Sequence, residues 1–98
     1  MTITMNREND SLTVSLKGRL DTTTAPQLEA ELKSALSGVT ELTIDLEKLD
    51  YVSSAGLRVF LSAQKTMNKQ GEMTVRNANE AIMDVFEVTG FVDLLNIE

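Results

Sequence analysis

What most narrows the fold is a change of hydrophobic period within one short stretch. Leu42, Ile44 and Leu46 alternate with Thr43 and Asp45, the two-residue period of a half-buried strand running over Val39 to Leu46. A few residues later Gly56, Phe60, Ala63 and Met67 recur at helical spacing, with Leu57 and Leu61 beside them. Between the two lies Leu49-Asp50-Tyr51-Val52-Ser53-Ser54-Ala55-Gly56, the tail of a strand running into the start of a helix. A strand that feeds an amphipathic helix is half of a parallel crossover. Such folds place binding sites outside the carboxyl ends of their strands.

The rest of the chain supplies partners for that unit. Ile3 and Met5, then Leu12, Val14 and Leu16, alternate with polar residues on either side of Glu8-Asn9-Asp10. That pattern predicts an antiparallel hairpin with one buried face, ended by Gly18. Thr24, Pro26 and Gln27 have the spacing of a capped helix start. Ala25, Leu28, Leu32, Ala35 and Leu36 then follow on one face, with Gly38 as the stop. Past Gln70-Gly71, Met73-Thr74-Val75 predicts a short strand. Asn77-Ala78-Asn79 leads into a third helix through Ile82, Val85 and Phe86, stopped at Thr89-Gly90. Phe91, Leu94, Leu95 and Ile97 are expected to close the core, and Met67 and Met73 to fill it. The expectation is a single α/β domain over 1–98, with a mixed sheet of four or five strands and three main helices.

Composition removes several function classes. The chain of 98 residues has no cysteine and no histidine. Disulfides, thiolate chemistry, the usual zinc sites and imidazole catalysis are therefore outside its means. No glycine-rich phosphate loop and no nucleophile elbow is present. Asp45 with Asp50, or Glu41 with Glu47, could be drawn as an acid–base pair, but among 15 acidic residues such pairs read as solvated surface. A net charge of −6 disfavours nucleic acid and anionic membranes as partners. The expectation is a cytoplasmic, non-enzymatic chain with no cofactor and no metal, monomeric when free.

What remains is the Ser53-Ser54 turn. A serine at a helix N-terminus can cap the helix through its hydroxyl. It can also carry a phosphate, since unpaired amides and the positive end of the helix dipole favour negative charge there. For Ser54, placed before a helix beginning at Ala55, both readings stand. Asp21 to Thr24 reads as helix capping or as part of a binding rim. Asp45 is either solvated or faces the site, and Arg58 is plain surface or meets a phosphate or a partner carboxylate.

Three blocks carry a resemblance across essentially the whole chain: Gly18-Arg19-Leu20-Asp21, Ile44-Asp45-Leu46 through Tyr51-Val52-Ser53-Ser54-Ala55-Gly56-Leu57, and Val88-Thr89-Gly90-Phe91. With the order of elements, they resemble the STAS domain of the anti-sigma factor antagonists. The resemblance implies a small bacterial signalling protein that binds a serine-kinase anti-sigma factor and so releases a sigma factor. The kinase would phosphorylate it and a serine phosphatase would reverse this. Aligning Gly56 with the family's motif glycine makes Ser54 the phosphoacceptor, with Ser53 as the rival. Family members with an acidic residue before the acceptor differ from this chain, which has Ser53 there. The implied partner surface comprises Asp21, Thr22, Asp45, Ser53, Ser54, Ala55, Gly56, Leu57 and Arg58. The alternative is a constitutive scaffold or interaction subunit of a signalling or transport assembly, with Ser54 as a cap only. Nucleotide or other small-ligand binding ranks last.

Overall fold

The computed structural model describes residues 1–98. Four strands, β1 (Thr2–Glu8), β2 (Ser11–Leu20), β3 (Glu41–Val52) and β4 (Glu72–Arg76), lie side by side in that order. β1 and β2 are antiparallel, joined through a tight turn in which Asn9 has a left-handed φ of 56°. β2–β3 and β3–β4 are parallel, so each needs a crossover. Helices α1 (Ala25–Ala35) and α2 (Ser54–Gln70) provide them. Helix α3 (Glu80–Thr89) and a 3-10 turn at Phe91–Asp93 complete the chain.

Alternation decides which face of the sheet is covered. Leu12, Val14, Leu16 and Leu20 of β2, Leu42, Ile44 and Leu46 of β3, and Met73 and Val75 of β4 are all buried. Their neighbours Thr13, Ser15, Thr43 and Thr74 are only half-buried. The apolar face packs against all three helices, through Leu28 and Leu32 of α1, Phe60, Ala63 and Met67 of α2, and Ile82 and Phe86 of α3. Phe60 and Phe86 meet edge to face at 6.4 Å, which ties α2 to α3. The opposite face carries no helix.

Four expectations from the sequence need correction. Gly18 does not end the hairpin: β2 passes through it at φ 102°, a conformation that favours glycine, and continues to Leu20. β3 runs six residues beyond Leu46, to Val52. Two irregularities hide that extension, because β3's partners jump from Asp45 to Lys48 and from Leu49 to Tyr51 while β2 advances more slowly. Leu46, Leu49 and Val52 are therefore buried at intervals of three instead of two. Thr24 precedes α1 without capping it, since its hydroxyl donates to the Arg19 carbonyl at 2.8 Å and accepts from the Asp21 amide at 2.9 Å. In the tail, Leu95 alone is fully buried and Leu94 is half exposed, while Ile97 pairs with Val75 along the outer edge of β4.

The position of α2 is fixed by a close approach. A Cβ on Gly56 would come within 2.6 Å of Leu20 Cγ and 3.0 Å of Val52 Cγ2. Both contacts are buried side chains at the very ends of β2 and β3, so only glycine lets the first turn of α2 sit so low on the sheet. Gly56→Ala gains about 1 kcal/mol of helix propensity but forces overpacking that costs about 1–3 kcal/mol. The expected result is a net loss of up to about 2 kcal/mol in urea denaturation, and a variant more stable than the parent would contradict the packing described.

Candidate functional site

The site forms where β2 and β3 end together. Leu20 and Val52 are register partners, and one residue further the Ser53 amide donates to the Leu20 carbonyl at 2.9 Å. That bond turns the chain upward into α2. Ser53 has extended backbone angles (φ −97°, ψ 174°), its carbonyl accepts the first helical bond from the Leu57 amide, and its Oγ accepts from the Gly56 amide at 3.4 Å. Ser53 is therefore the cap, and the helix begins at Ser54 instead of Ala55.

This one-residue shift separates two roles that the sequence left entangled. Ser53 is half-buried and occupied. Ser54 stands in the first helical position, exposed, with its hydroxyl making no hydrogen bond to the chain. It belongs to the first helical turn, whose leading amides have no intrahelical acceptor, a setting that suits an added anion.

Asp21 comes to the same end of the sheet, one residue past the Leu20 carbonyl. Its Oδ1 accepts from the Thr23 hydroxyl at 2.7 Å and the Thr23 amide at 3.0 Å, with the Thr24 amide at 3.2 Å. These bonds hold the carboxyl below its ordinary value of 3.8, the Thr23 hydroxyl contributing most, the Thr23 amide next, and desolvation opposing. Asp21 thus organises the β2–α1 turn and keeps its second oxygen outward, 3.9 Å from Arg19 Nε. Thr22 beside it is exposed and unbonded.

The remaining residues of the proposed surface divide. Arg58 is exposed one turn into α2 and Ala55 is half-buried. Gly56 and Leu57 are buried, so they shape the site from beneath through packing. Asp45 is elsewhere. It lies where β3 pairs with the end of β4, accepting from the Glu47 amide at 3.0 Å and from Asn77 Nδ2 at 3.1 Å. The extension of β3 leaves about 20 Å of strand between Asp45 and the Ser53 turn. Its carboxylate braces the first irregularity of β3 and the loop after β4. The sequence also passed over Tyr51, 40% exposed, whose ring lies 4.2 Å beneath the Arg19 guanidinium at this end of the sheet. An aromatic three residues before a candidate phosphate site was the available signal; its register with Arg19 depends on the irregularities of β3 and was not readable from the sequence.

Two measurements check this geometry. Ser53→Ala should lower stability by about 1 kcal/mol through the lost cap, whereas Ser54→Ala should change it by less than about 0.5 kcal/mol; the reverse order in thermal or urea unfolding would assign the cap to Ser54. Asp21 has a depressed folded pKa, so its contribution to stability is complete above its unfolded value and fades as pH falls through the folded one. The amide shifts of Thr23 and Thr24 should accordingly titrate with a midpoint below 3.8, and a midpoint at or above that value would show the hydrogen bonds to be absent.

Comparison with known proteins agrees with the architecture. Residues 3–96 match the family described as Mlab, STAS domain. A putative anti-sigma factor antagonist of Bordetella bronchiseptica is 36% identical, over 99% of this chain and 85% of its own length. The anti-sigma-B factor antagonist of Bacillus subtilis is 33% identical, over 92% and 83% respectively. Among solved structures, an anti-sigma factor antagonist from Mycobacterium paratuberculosis superposes with a TM-score of 0.88 at 23% identity, covering 98% of this chain and 83% of that one. The unphosphorylated form of the antagonist SpoIIAA superposes at 0.79 with 18% identity, covering 99% and 87%. These relatives are named for antagonism of another protein, a binding activity and not catalysis. With its four-stranded mixed sheet, three helices and serine-bearing strand-to-helix turn, the chain belongs to the STAS-domain family of anti-sigma factor antagonists.

Proposed function

We propose that this chain is a phosphorylation-switched antagonist that binds a serine-kinase anti-sigma factor and thereby frees a sigma factor, with Ser54 as the switch. One observation carries the reading: the Ser54 hydroxyl is exposed and unbonded at the first position of α2, because Ser53 has taken over the cap. A kinase can reach it without unfolding the helix. The same contrast favours Ser54 over Ser53 as acceptor. That a solved relative, SpoIIAA of Bacillus, is described in a phosphorylated form supports the switch by family.

The physical basis is local. A phosphoserine carries a charge of about −1.5 to −2 near neutral pH. At the start of α2 the free amides and the helix dipole accommodate it, so the domain stays folded. For a bound partner the result is opposite. A surface fitted to a neutral hydroxyl next to Asp21 meets extra bulk and a dianion that binding would have to desolvate. That costs on the order of 2–5 kcal/mol of affinity, enough to turn an interaction off. Removal of the phosphate by a serine phosphatase restores the binding form.

The direct test is affinity capture from native lysate with ATP, using wild-type, Ser54→Ala and Ser54→Asp chains as baits. A kinase-fold protein retained by the first two and lost from the third, with all three folded by circular dichroism, is the expected outcome. Equal retention on the Ser54→Asp bait would remove the switch and leave a constitutive scaffold role, in which the site binds without being modified.

A further inference from the structure

The two outer edges of the sheet differ. Beyond β4 the tail of the chain closes the edge: the Val75 amide donates to the Asn96 carbonyl at 2.8 Å, and the Glu98 amide to the Val75 carbonyl at 2.9 Å. Arg76 adds an ion pair to Glu98 at 3.5 Å. At the other end of the strand order, β1 has no neighbour on its outer side. Glu8 and Ser11 flank the tight turn at Asn9-Asp10, so they form a hydrogen-bonded pair, and the alternation of an antiparallel ladder gives Thr2, Thr4 and Asn6 the same role. Ile3, Met5 and Arg7 therefore direct their amides and carbonyls away from β2, where no group of the chain bonds them.

Exposed edges are usually guarded by lysine, proline or a bulge. β1 has none of these, and its register with β2 is unbroken over all seven residues. Its one cation, Arg7, is turned back onto the end of α1, donating to the Ser37 carbonyl at 3.2 Å and to the Asn9 carbonyl at 3.0 Å. Ile3 and Met5, on the helix side, are only half-buried. Beside Met5 lies a groove of about 460 Å³, bordered by Ala30, Glu31, Ser34 and Ala35 of α1.

We infer that β1 pairs edge to edge with β1 of a second copy of this chain, antiparallel and centred on Thr4, to make one continuous sheet across two molecules. The sequence of β1 sets the occupant, because this register is self-complementary. With Thr4 opposite Thr4, Ile3 of one copy faces Met5 of the other on the helix side, and Thr2 faces Asn6 on the open side. The outward amides and carbonyls belong to Ile3 and Met5, so the hydrogen-bonded pairs are also the apolar ones. Ala30 and Ser34 on the bordering face of α1 are small and exposed, which lets the two α1 helices approach. A monomer is expected when side chains alone are counted; the unmet groups here belong to the main chain. A twofold axis through Thr4 reverses the second sheet, so the two Ser54 turns lie at opposite ends and neither blocks the other.

The test is sedimentation velocity over about 10 μM to 1 mM protein, with about 0.15 M salt to screen the net charge of −6 on each copy. The sedimentation coefficient should rise with concentration to that of a dimer and no further, since the β4 edges are closed. Thr4→Lys, at an exposed position, sets like charges face to face on the axis and should weaken the dimer by about tenfold or more. Ser62→Lys on the exposed side of α2 adds the same charge and should leave it within about twofold. Because the chain has no cysteine, single cysteines report the register. Thr4→Cys places facing Cα atoms about 4.5 Å apart, within disulfide range, and should cross-link two copies under mild oxidation. Asn6→Cys alone should not, its two copies lying about 14 Å apart, but mixed with Thr2→Cys it should. A monomer at every concentration, equal weakening by both lysine variants, cross-linking of Asn6→Cys as fast as Thr4→Cys, or growth beyond a dimer would each overturn the pairing.

Discussion

The close approach of α2 to the ends of β2 and β3 governs the rest of the molecule. With no side chain on Gly56, the first turn of the helix descends onto Leu20 and Val52. This brings the Ser53 amide within reach of the Leu20 carbonyl, and that bond fixes where the strand stops and the helix starts. Once Gly56 is third in the helix, Ser53 is the residue whose hydroxyl faces its amide, and Ser54 is turned outward. The exposure of Ser54 is thus a consequence of packing two layers below it. A helix raised by one methyl group would loosen the cap and the site together.

The two surfaces of this domain differ in what holds them. The Ser54 end is built on a helix N-terminus and on the Asp21 turn, where one carboxylate oxygen is used by Thr23 and Thr24 and the other lies 3.9 Å from Arg19 Nε. It is prepared for negative charge from the helix side and presents negative charge on the strand side. The open sheet face is lined by half-buried hydroxyls at Thr13, Ser15, Thr43 and Thr74, and towards the end of β3 it mixes Lys17, Arg19 and Lys48 with Glu47 and Asp50.

Much of this was legible in the residues because side-chain period reports directly on burial. The hairpin, the crossover helices and the short last strand follow from alternation and from Gly and Pro punctuation. The second half of β3 was not legible. Its two irregularities spread Leu46, Leu49 and Val52 at intervals of three, and no strand template fits that spacing. Misplacing the end of β3 also misplaced Asp45, which belongs by position to the loop after β4 and not to the serine turn. Thr24 failed as a cap for a different reason: a hydroxyl bonds wherever the nearest strong acceptor lies, and the Arg19 carbonyl of the β2 end was nearer than the helix amides. Leu94 shows the converse limit, since an apolar residue near a chain end carries no label saying whether space remains for it in the core.

The adjacent serines are the ambiguity that matters most, and its resolution explains how one turn can be both structural and switchable. If a single serine capped the helix and also accepted phosphate, each phosphorylation would withdraw the cap from the Gly56 amide. The partner-facing turn would loosen just as its charge changed, and removing the phosphate would have to rebuild the turn. Splitting the roles avoids this. Ser53 holds the geometry through its hydroxyl and its amide, and under the proposed switch Ser54 alone changes charge. The neutral residue at position 53 then has a physical reading. A neutral cap leaves the helix dipole less compensated than a carboxylate would, so the positive end of α2 stays available to a negative charge placed on Ser54.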